Sequence, residues 1–403
     1  MKILMLTPYL PYPPSSGGQV RSYNLIKHLS RNNEIYLVAL IKSKDEENYK
    51  KSLMPYCKEI HVCKRSESPW TFRNIFTSVF GQYPFLVVRN YSVEARNVVS
   101  ELLKKHKFDL IHAETFYIMP HIPSTKVPIL LVEQTIEYRV YQHFVRTLPL
   151  AMARPFFYFD IIKLRYWEKT FWSKADLVGA VSEDDEEKMH ELRKNLPTTI
   201  IPNAAGEDLL KVYDEKKDSS GQPIFLYQGN FSWLQNIEAA KYLITNIFPA
   251  IREKIPNATC VIAGQRALEK LGNINEKGIK IVDIGSANPD EVVKVYAKST
   301  IFLAPIHGPG GTRLKILGAM AAGLPVISSP TGVSGLAAKQ NENVIIAHST
   351  EDFVNAAVIL CEDKKLYNKI RKNARALIEE KYSWDTVSQQ LEKIYLKLVA
   401  THK

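Results

Sequence analysis

Short apolar runs separated by longer amphipathic stretches recur along nearly the whole chain, and this alternation restricts the fold more than any other feature. Runs at 2–7 (KILMLT), 34–40, 59–63, 110–114, 128–133 and 176–182 read as strands, with helical spacing between them at 20–30 and 92–107. Apolar residues fill almost every position of these runs, as in strands buried on both faces of a parallel sheet whose crossovers are helices. The scheme repeats with 223–229, 258–264, 279–285, 300–306 and 325–329. The pattern therefore predicts an α/β protein with two doubly wound, Rossmann-like domains, whose ligands bind at the carboxyl ends of the strands. A length of 403 residues, too great for one core, agrees. The polar stretch 212–223 reads as the linker, and the final segment has helical spacing with no strand after it, so it must pack onto an existing sheet.

Composition excludes several classes. With 45% hydrophobic and 24% charged residues the chain is neither disordered nor fibrous. Its four cysteines, Cys57, Cys63, Cys260 and Cys361, form no C-x-x-C pair, which argues against a disulfide scaffold or structural zinc and for a reducing cytoplasm. Prolines cut the N-terminal apolar run short of a signal-peptide core, and no stretch reaches the ~18–20 apolar residues of a membrane span. The formal charge is +11, with 28 basic against 21 acidic residues in 1–200 and 25 against 21 in 201–403. Two stretches of the first half, 64–107 and 138–174, are both basic and aromatic. They suit peripheral contact with an anionic membrane; the plainer reading is core aromatics beneath solvated lysines. Nucleic-acid binding would rest on charge alone, with no motif, so no nucleic-acid partner is expected.

Two loops carry the chemistry. After the first strand, Thr7 to Gln19 ends in the tandem glycines Gly17 and Gly18 before a helix from about residue 20, where backbone N–H groups and the helix dipole favour an anion such as a diphosphate. This is neither a Walker motif nor a G-x-G-x-x-G fingerprint. After the 300–306 strand comes His307-Gly308-Pro309-Gly310-Gly311-Thr312-Arg313-Leu314-Lys315, a glycine loop that opens a helix with two cations in its first turn. Cations there oppose the helix dipole, which points to a phosphate nearby. Glu114 and Glu133 each end a buried-type strand, where a carboxylate is costly unless paired or functional.

The residues around these loops resemble the family 4 glycosyltransferases of GT-B fold. The resemblance rests on Pro11-Tyr12-Pro13-Pro14-x-x-Gly17-Gly18-x-x-Arg21, Glu133-Gln134-Thr135-Ile136-Glu137, Ala175-Asp176-Leu177 to Ser182-Glu183, Ile201-Pro202-Asn203, and Gln228-Gly229-Asn230-Phe231-Ser232-Trp233. It continues through Lys315-Ile316-Leu317-x-Ala319-Met320-Ala321-x-Gly323-x-Pro325-Val326, Ser329-Pro330-Thr331-Gly332-Val333 and Tyr382-Ser383-Trp384-Asp385, almost the whole length in order. It implies two domains facing across a cleft: 1–205 for the acceptor, 206–380 for a nucleotide-diphosphate sugar, and a helix in 381–403 crossing back to the first. The reaction implied is a retaining, metal-independent sugar transfer to a saccharide or lipid-linked acceptor, with no cofactor and with UDP or GDP as the carrier. Its setting is cell-surface polysaccharide or glycolipid synthesis at the cytoplasmic face of a membrane.

Carried onto this sequence, the resemblance assigns leaving-group stabilisation to Arg313 and Lys315, helped by N–H groups around Gly311, Thr312 and Leu314 and by Gly17 and Gly18, with Gly229 and Asn230 beside them. Val282, Asp283 and Ile284 flank the nucleobase; Arg21, His112, Glu133 and Glu137 face the acceptor, with Glu114 as a catalytic polar group. Departures from the family are as informative. The paired glutamates of its donor loop are here Gly310 and Gly318, the second being a ribose acceptor, and the basic pair after the 223–229 strand is Asn230 and Gln235. The family's His-x-His is His112-x-Glu114. These departures leave open a nucleotide-sugar epimerase of the same fold and a ligand-binding protein without turnover.

Overall fold

The computed structural model describes residues 1–147, 154–214, 221–274, 276–285, 288–308 and 313–402. Its residues fall into two compact units, Met1–Pro202 with Ser388–Lys403, and Asn203–Val387. The division lies between Pro202 and Asn203, and residues 215–220 of the 212–223 stretch expected as the linker lie outside the described residues.

The first unit is built on a parallel sheet of β1 (Lys2–Thr7), β2 (Glu34–Ile41), β3 (Glu59–Lys64), β4 (Leu110–Glu114), β5 (Ile129–Glu133), β6 (Leu177–Ala180) and β7 (Thr198–Ile200), in the order β3-β2-β1-β4-β5-β6-β7. The second holds β8 (Ile224–Gln228), β9 (Thr259–Gly264), β10 (Ile279–Asp283), β11 (Ile301–Ala304), β12 (Val326–Ser328) and β13 (Ile345–Ile346), in the order β10-β9-β8-β11-β12-β13. Both sheets reverse winding beside their first strand, so each has a switch point, β1/β4 and β8/β11, where a crevice opens at the carboxyl ends. The central strands are buried along their length, as their unbroken apolar runs require. The two strands that sequence periodicity does not reveal, β7 and β13, are edge strands of three and two residues. So short a pairing has no room for a hydrophobic pattern.

The first helix, Gly17–Leu29, starts three residues before the expected position because Ser16 takes the N-cap, its side chain accepting from Gln19 N. The tandem glycines thus lie inside the first turn. The last helix is Trp384–His402, and its residues from Ser388 onward group with the first unit. Glu392 accepts from Asn33 Nδ2 at 2.8 Å, Gln390 Nε2 donates to Ile200 O at 3.0 Å, and Tyr395 reaches His112.

Three glutamates gather past the end of β5. Glu133 Oε1 accepts from Phe116 N (3.0 Å) and Trp172 Nε1 (2.9 Å), while Oε2 is buried with no hydrogen-bond partner among the described residues. Glu168 accepts from the Glu137 and Tyr138 N–H groups at 2.8 and 3.3 Å, tying the helix Arg154–Trp172 to the start of Glu137–Thr147. Burial, and then the repulsion of neighbouring carboxylates, raises Glu133 and Glu168 well above the usual carboxylate range, and burial pushes Glu137 up to about 7. Between the ordinary range and these raised values the folded chain holds more protons than the unfolded one. The contribution to stability is therefore present in acid and lost as pH rises. Thermal melts of the parent and Glu133→Gln at pH 5 and pH 8 check this: the variant should gain at least about 1 kcal/mol on the parent at the higher pH, the equivalent of one pKa unit, and a difference independent of pH would overturn it.

Candidate functional site

In the first unit, Leu6 pairs with Ala113, which sets the end of β1 beside Glu114 at the switch point. Glu114 is fully buried yet charged. Burial would raise its pKa, but Arg21 and hydrogen bonds from His112 and Gln134 outweigh it and hold the carboxyl below the usual range. Arg21 Nε lies 3.5 Å from Glu114 Oε1, His112 Nε2 is 3.1 Å from the same oxygen, and Gln134 Nε2 donates to Oε2 at 2.6 Å. Arg21 Nη1 also donates to the carbonyls of Ile201 and Pro202. On its other nitrogen His112 meets the Tyr395 hydroxyl, and Gln134 Nε2 also donates to Tyr9 Oη at 2.8 Å. Burial and then Glu114 raise the pKa of both tyrosines, so they stay protonated. A Cβ on Gly18 would come within 2.4 Å of Tyr9 Oη and 2.8 Å of Gln134 Oε1, so the glycine makes room for the network. Directly after Glu114, Thr115 holds φ at 72°, a conformation costing about 1–3 kcal/mol that the surrounding structure must hold in place.

Four of the expected residues, Gly18, Arg21, His112 and Glu114, thus meet in one network. Gly17 stands exposed at the helix start. Glu133 and Glu137 belong to the carboxyl cluster one strand farther on. Sequence reasoning missed Tyr9 and Tyr395 as members of the network; a tyrosine in a last helix carries no local signal of a partner 283 residues away.

The second unit repeats the logic at β8/β11. Lys315, in the first turn of Leu314–Ala321, turns its ammonium beneath Gly229 at the end of β8. Its Nζ donates to Asn236 Oδ1 at 2.6 Å and Tyr227 Oη at 3.3 Å, and lies 4.7 Å from the Tyr227 ring centroid. Burial, with Arg313 adding to it, drives the lysine pKa well down. An anion brought to this position would relieve that penalty. Arg313 caps the same helix and donates from Nη2 to Gly308 O at 2.7 Å. A Cβ on Gly229 would be 2.9 Å from Lys315 Nζ, and one on Gly264, whose φ is +146°, would overlap Gly229 O at 1.7 Å. Both glycines allow close backbone approach at the carboxyl end.

Asn230 Nδ2 donates to Gln265 Oε1 at 2.8 Å, and Asn236 Nδ2 to Asn230 O at 2.7 Å, so Asn230 orders the β8 loop. Register places Val282 beside Ala263 and Asp283 beside Gly264; Asp283 is exposed and Ile284 is buried. Gly310, Gly311 and Thr312 lie outside the described residues. Gly318 is buried, and a Cβ there would meet Leu209 Cδ1 at 2.7 Å and Tyr296 Oη at 3.5 Å. An apolar side chain thus fills the position where the family's glutamate was expected. Tyr227 and Asn236, both missed from sequence, are the polar partners that a lysine in this place requires. Among the described residues no three His, Cys, Asp or Glu side chains stand together as metal ligands would.

Comparison with known proteins agrees with this architecture. The family described as Glycosyltransferase Family 4 matches residues 15–206, and the one described as Glycosyl transferases group 1 matches residues 222–363. An uncharacterized 44.6 kDa protein in the cps region of Klebsiella pneumoniae is 21% identical over 402 residues, 97% of this chain and 99% of that protein. Among solved structures, sucrose-phosphate synthase from Thermosynechococcus elongatus superposes with a TM-score of 0.70 at 17% identity, covering 100% of both chains. HepE of Anabaena, solved in complex with UDP-glucose, gives a TM-score of 0.63 at 15% identity over 98% of this chain and 100% of that one. With one family on each of two doubly wound units and a GT-B glycosyltransferase fold throughout, the chain belongs to the glycosyltransferases of family 4 and group 1.

Proposed function

We propose that the second unit binds a nucleotide-diphosphate sugar and the first its saccharide or lipid-linked acceptor, with UDP or GDP as the carrier, in cell-surface polysaccharide or glycolipid synthesis on the cytoplasmic side of a membrane. The observation that carries the donor assignment is Lys315, a desolvated cation beneath a glycine at the β8/β11 switch point. The UDP-glucose complex of the structurally similar HepE supports it.

In the reaction the bond from the anomeric carbon to the diphosphate breaks, the diphosphate leaving with the electron pair. The acceptor hydroxyl passes its proton to the oxygen of the departing diphosphate as its own oxygen bonds to that carbon on the same face, so that configuration is retained and no metal is required. Lys315 and Arg313 are placed before the reaction to meet the charge that develops on the diphosphate, so no reorganisation is needed at that moment. Glu114, fully buried and held ionised by Arg21, His112 and Gln134, acts through these partners as a positioning residue that fixes the β1/β4 switch point against which the acceptor is held. A second reading, nucleotide binding without turnover, draws on Gly318, where Leu209 occupies the place of a ribose-binding carboxylate.

Calorimetry with UDP, GDP, ADP, TDP and CMP tests the donor site. One diphosphate should bind, and Arg313→Ala/Lys315→Ala should weaken it by about 10–100-fold for each charge-assisted hydrogen bond removed; equal affinity in parent and variant would remove both residues from the site. For the acceptor side, Glu114→Gln should leave nucleotide affinity within about twofold while transfer falls at least about 100-fold. Urea titration of the same variant should show stability lowered by about 3–5 kcal/mol, the cost of a buried Arg21 without its counter-charge. Full transfer activity in this variant would refute the assignment.

A further inference from the structure

The helix Phe72–Phe80 (FRNIFTSVF) carries Phe72, Ile75, Phe76 and Phe80 on one stripe, and a helix of a globular protein ordinarily buries such a stripe and exposes its polar side. Here the arrangement is reversed. Asn74 and Ser78 face the protein: Asn74 Nδ2 donates to Ser66 Oγ (2.8 Å) and Pro69 O (3.0 Å), and Ser78 Oγ to Asp160 Oδ1 (3.0 Å). Phe72 and Phe80 are 82% and 75% exposed, and the three phenylalanine rings stack along the outside with successive centroids 6.1 and 4.7 Å apart.

The neighbouring helix Arg154–Trp172 adds a second exposed stripe, Phe159, Ile162 and Tyr166, the last two 67% and 63% exposed. Lys163 joins the two stripes. Its ammonium binds the carbonyls of Ser78 and Gly81, capping the end of the first helix beside Phe80, and lies 5.8 Å from the Phe159 ring centroid. The result is one aromatic face rather than scattered surface residues, and such a face marks an interaction site.

Charge identifies what covers it. The two helices carry Arg73, Arg154, Lys163, Arg165 and Lys169 against only Asp160 and Glu168, and both acids are turned inward. Asp160 accepts from Ser78 Oγ and from Phe85 N at 2.9 Å, and Glu168 is fully buried. A second copy would present the same basic face and be repelled. An anionic bilayer would attract it, its headgroups meeting the cations while the rings enter the acyl boundary.

We infer that this face of the first unit docks on an anionic lipid bilayer, which deepens, and rests on, the lipid-linked reading of the acceptor above. The test is co-sedimentation of the full chain with phosphatidylglycerol/phosphatidylcholine vesicles and with phosphatidylcholine alone, at low and high salt. The parent should bind the anionic vesicles, less tightly as salt rises, and Phe72→Ser/Phe76→Ser/Phe80→Ser should lose at least about tenfold in binding. Ile162→Ser/Tyr166→Ser, on the other helix, should do the same if the first variant melts early. Nucleotide calorimetry on the same proteins separates the two readings, since unchanged nucleotide affinity with lost vesicle binding locates the defect on this face. The inference is overturned if the parent ignores anionic vesicles, if both variants bind as the parent does, or if ultracentrifugation without lipid shows a parent dimer that the variants abolish.

Discussion

A guanidinium and a carboxylate with no exposure to water, Arg21 and Glu114, hold the first unit's switch point together. Removing two charges from water costs several kcal/mol per ion, and only multiple well-placed hydrogen bonds offset that cost. The partners come from segments far apart in the chain: His112 on β4, Gln134 just past β5, the carbonyls of Ile201 and Pro202, and, through His112, Tyr395 of the last helix. One ion pair therefore requires five segments to be in place at once. Apolar residues of equal volume would fill the same space without the desolvation cost, so the pair fits a chemical use better than a purely stabilising one.

The second unit solves a related problem with a single cation. Lys315 is desolvated against Tyr227 and Asn236, and the polar partners it has do not neutralise it. In both units a glycine at the switch point, Gly18 or Gly229, gives the charged or polar cluster its space, because a Cβ at either position would intrude on it. The two sheets thus share strand order and also a way of keeping charge in a buried place. They differ in kind: the first surrounds a carboxylate with donors, and the second buries an amine that, among the described residues, meets a phenol and an amide at its nitrogen.

Much of the fold was legible because the central strands are buried on both faces, which forces short near-continuous apolar runs whose length and flanking turn residues set them apart from the longer amphipathic helices. Several residues in the quoted motifs have plain structural duties. Ser182 caps Glu183–Leu192, and Asp176 accepts from Ile129 N at 2.8 Å to fasten β5. The basic, aromatic stretches were ambiguous for a physical reason. Phe171 and Trp172 are core while Phe72, Phe76 and Phe80 are exposed, and composition is the same in both cases. Only the inward turn of Asn74 and Ser78 separates them.

The sequence by itself determined two parallel α/β units, the loops that carry the candidate chemistry and the charges in them, because burial on two faces, glycine spacing and helix-end electrostatics act over a few residues. Tertiary structure alone decided which of those charges meet. It paired Glu114 with Arg21 and sent Glu133 and Glu137 to a separate carboxyl cluster. It also placed Tyr395 on His112 and filled the space at Gly318 with Leu209. Side-chain pairings across hundreds of residues depend on how helices pack onto a sheet, and no local pattern records that packing.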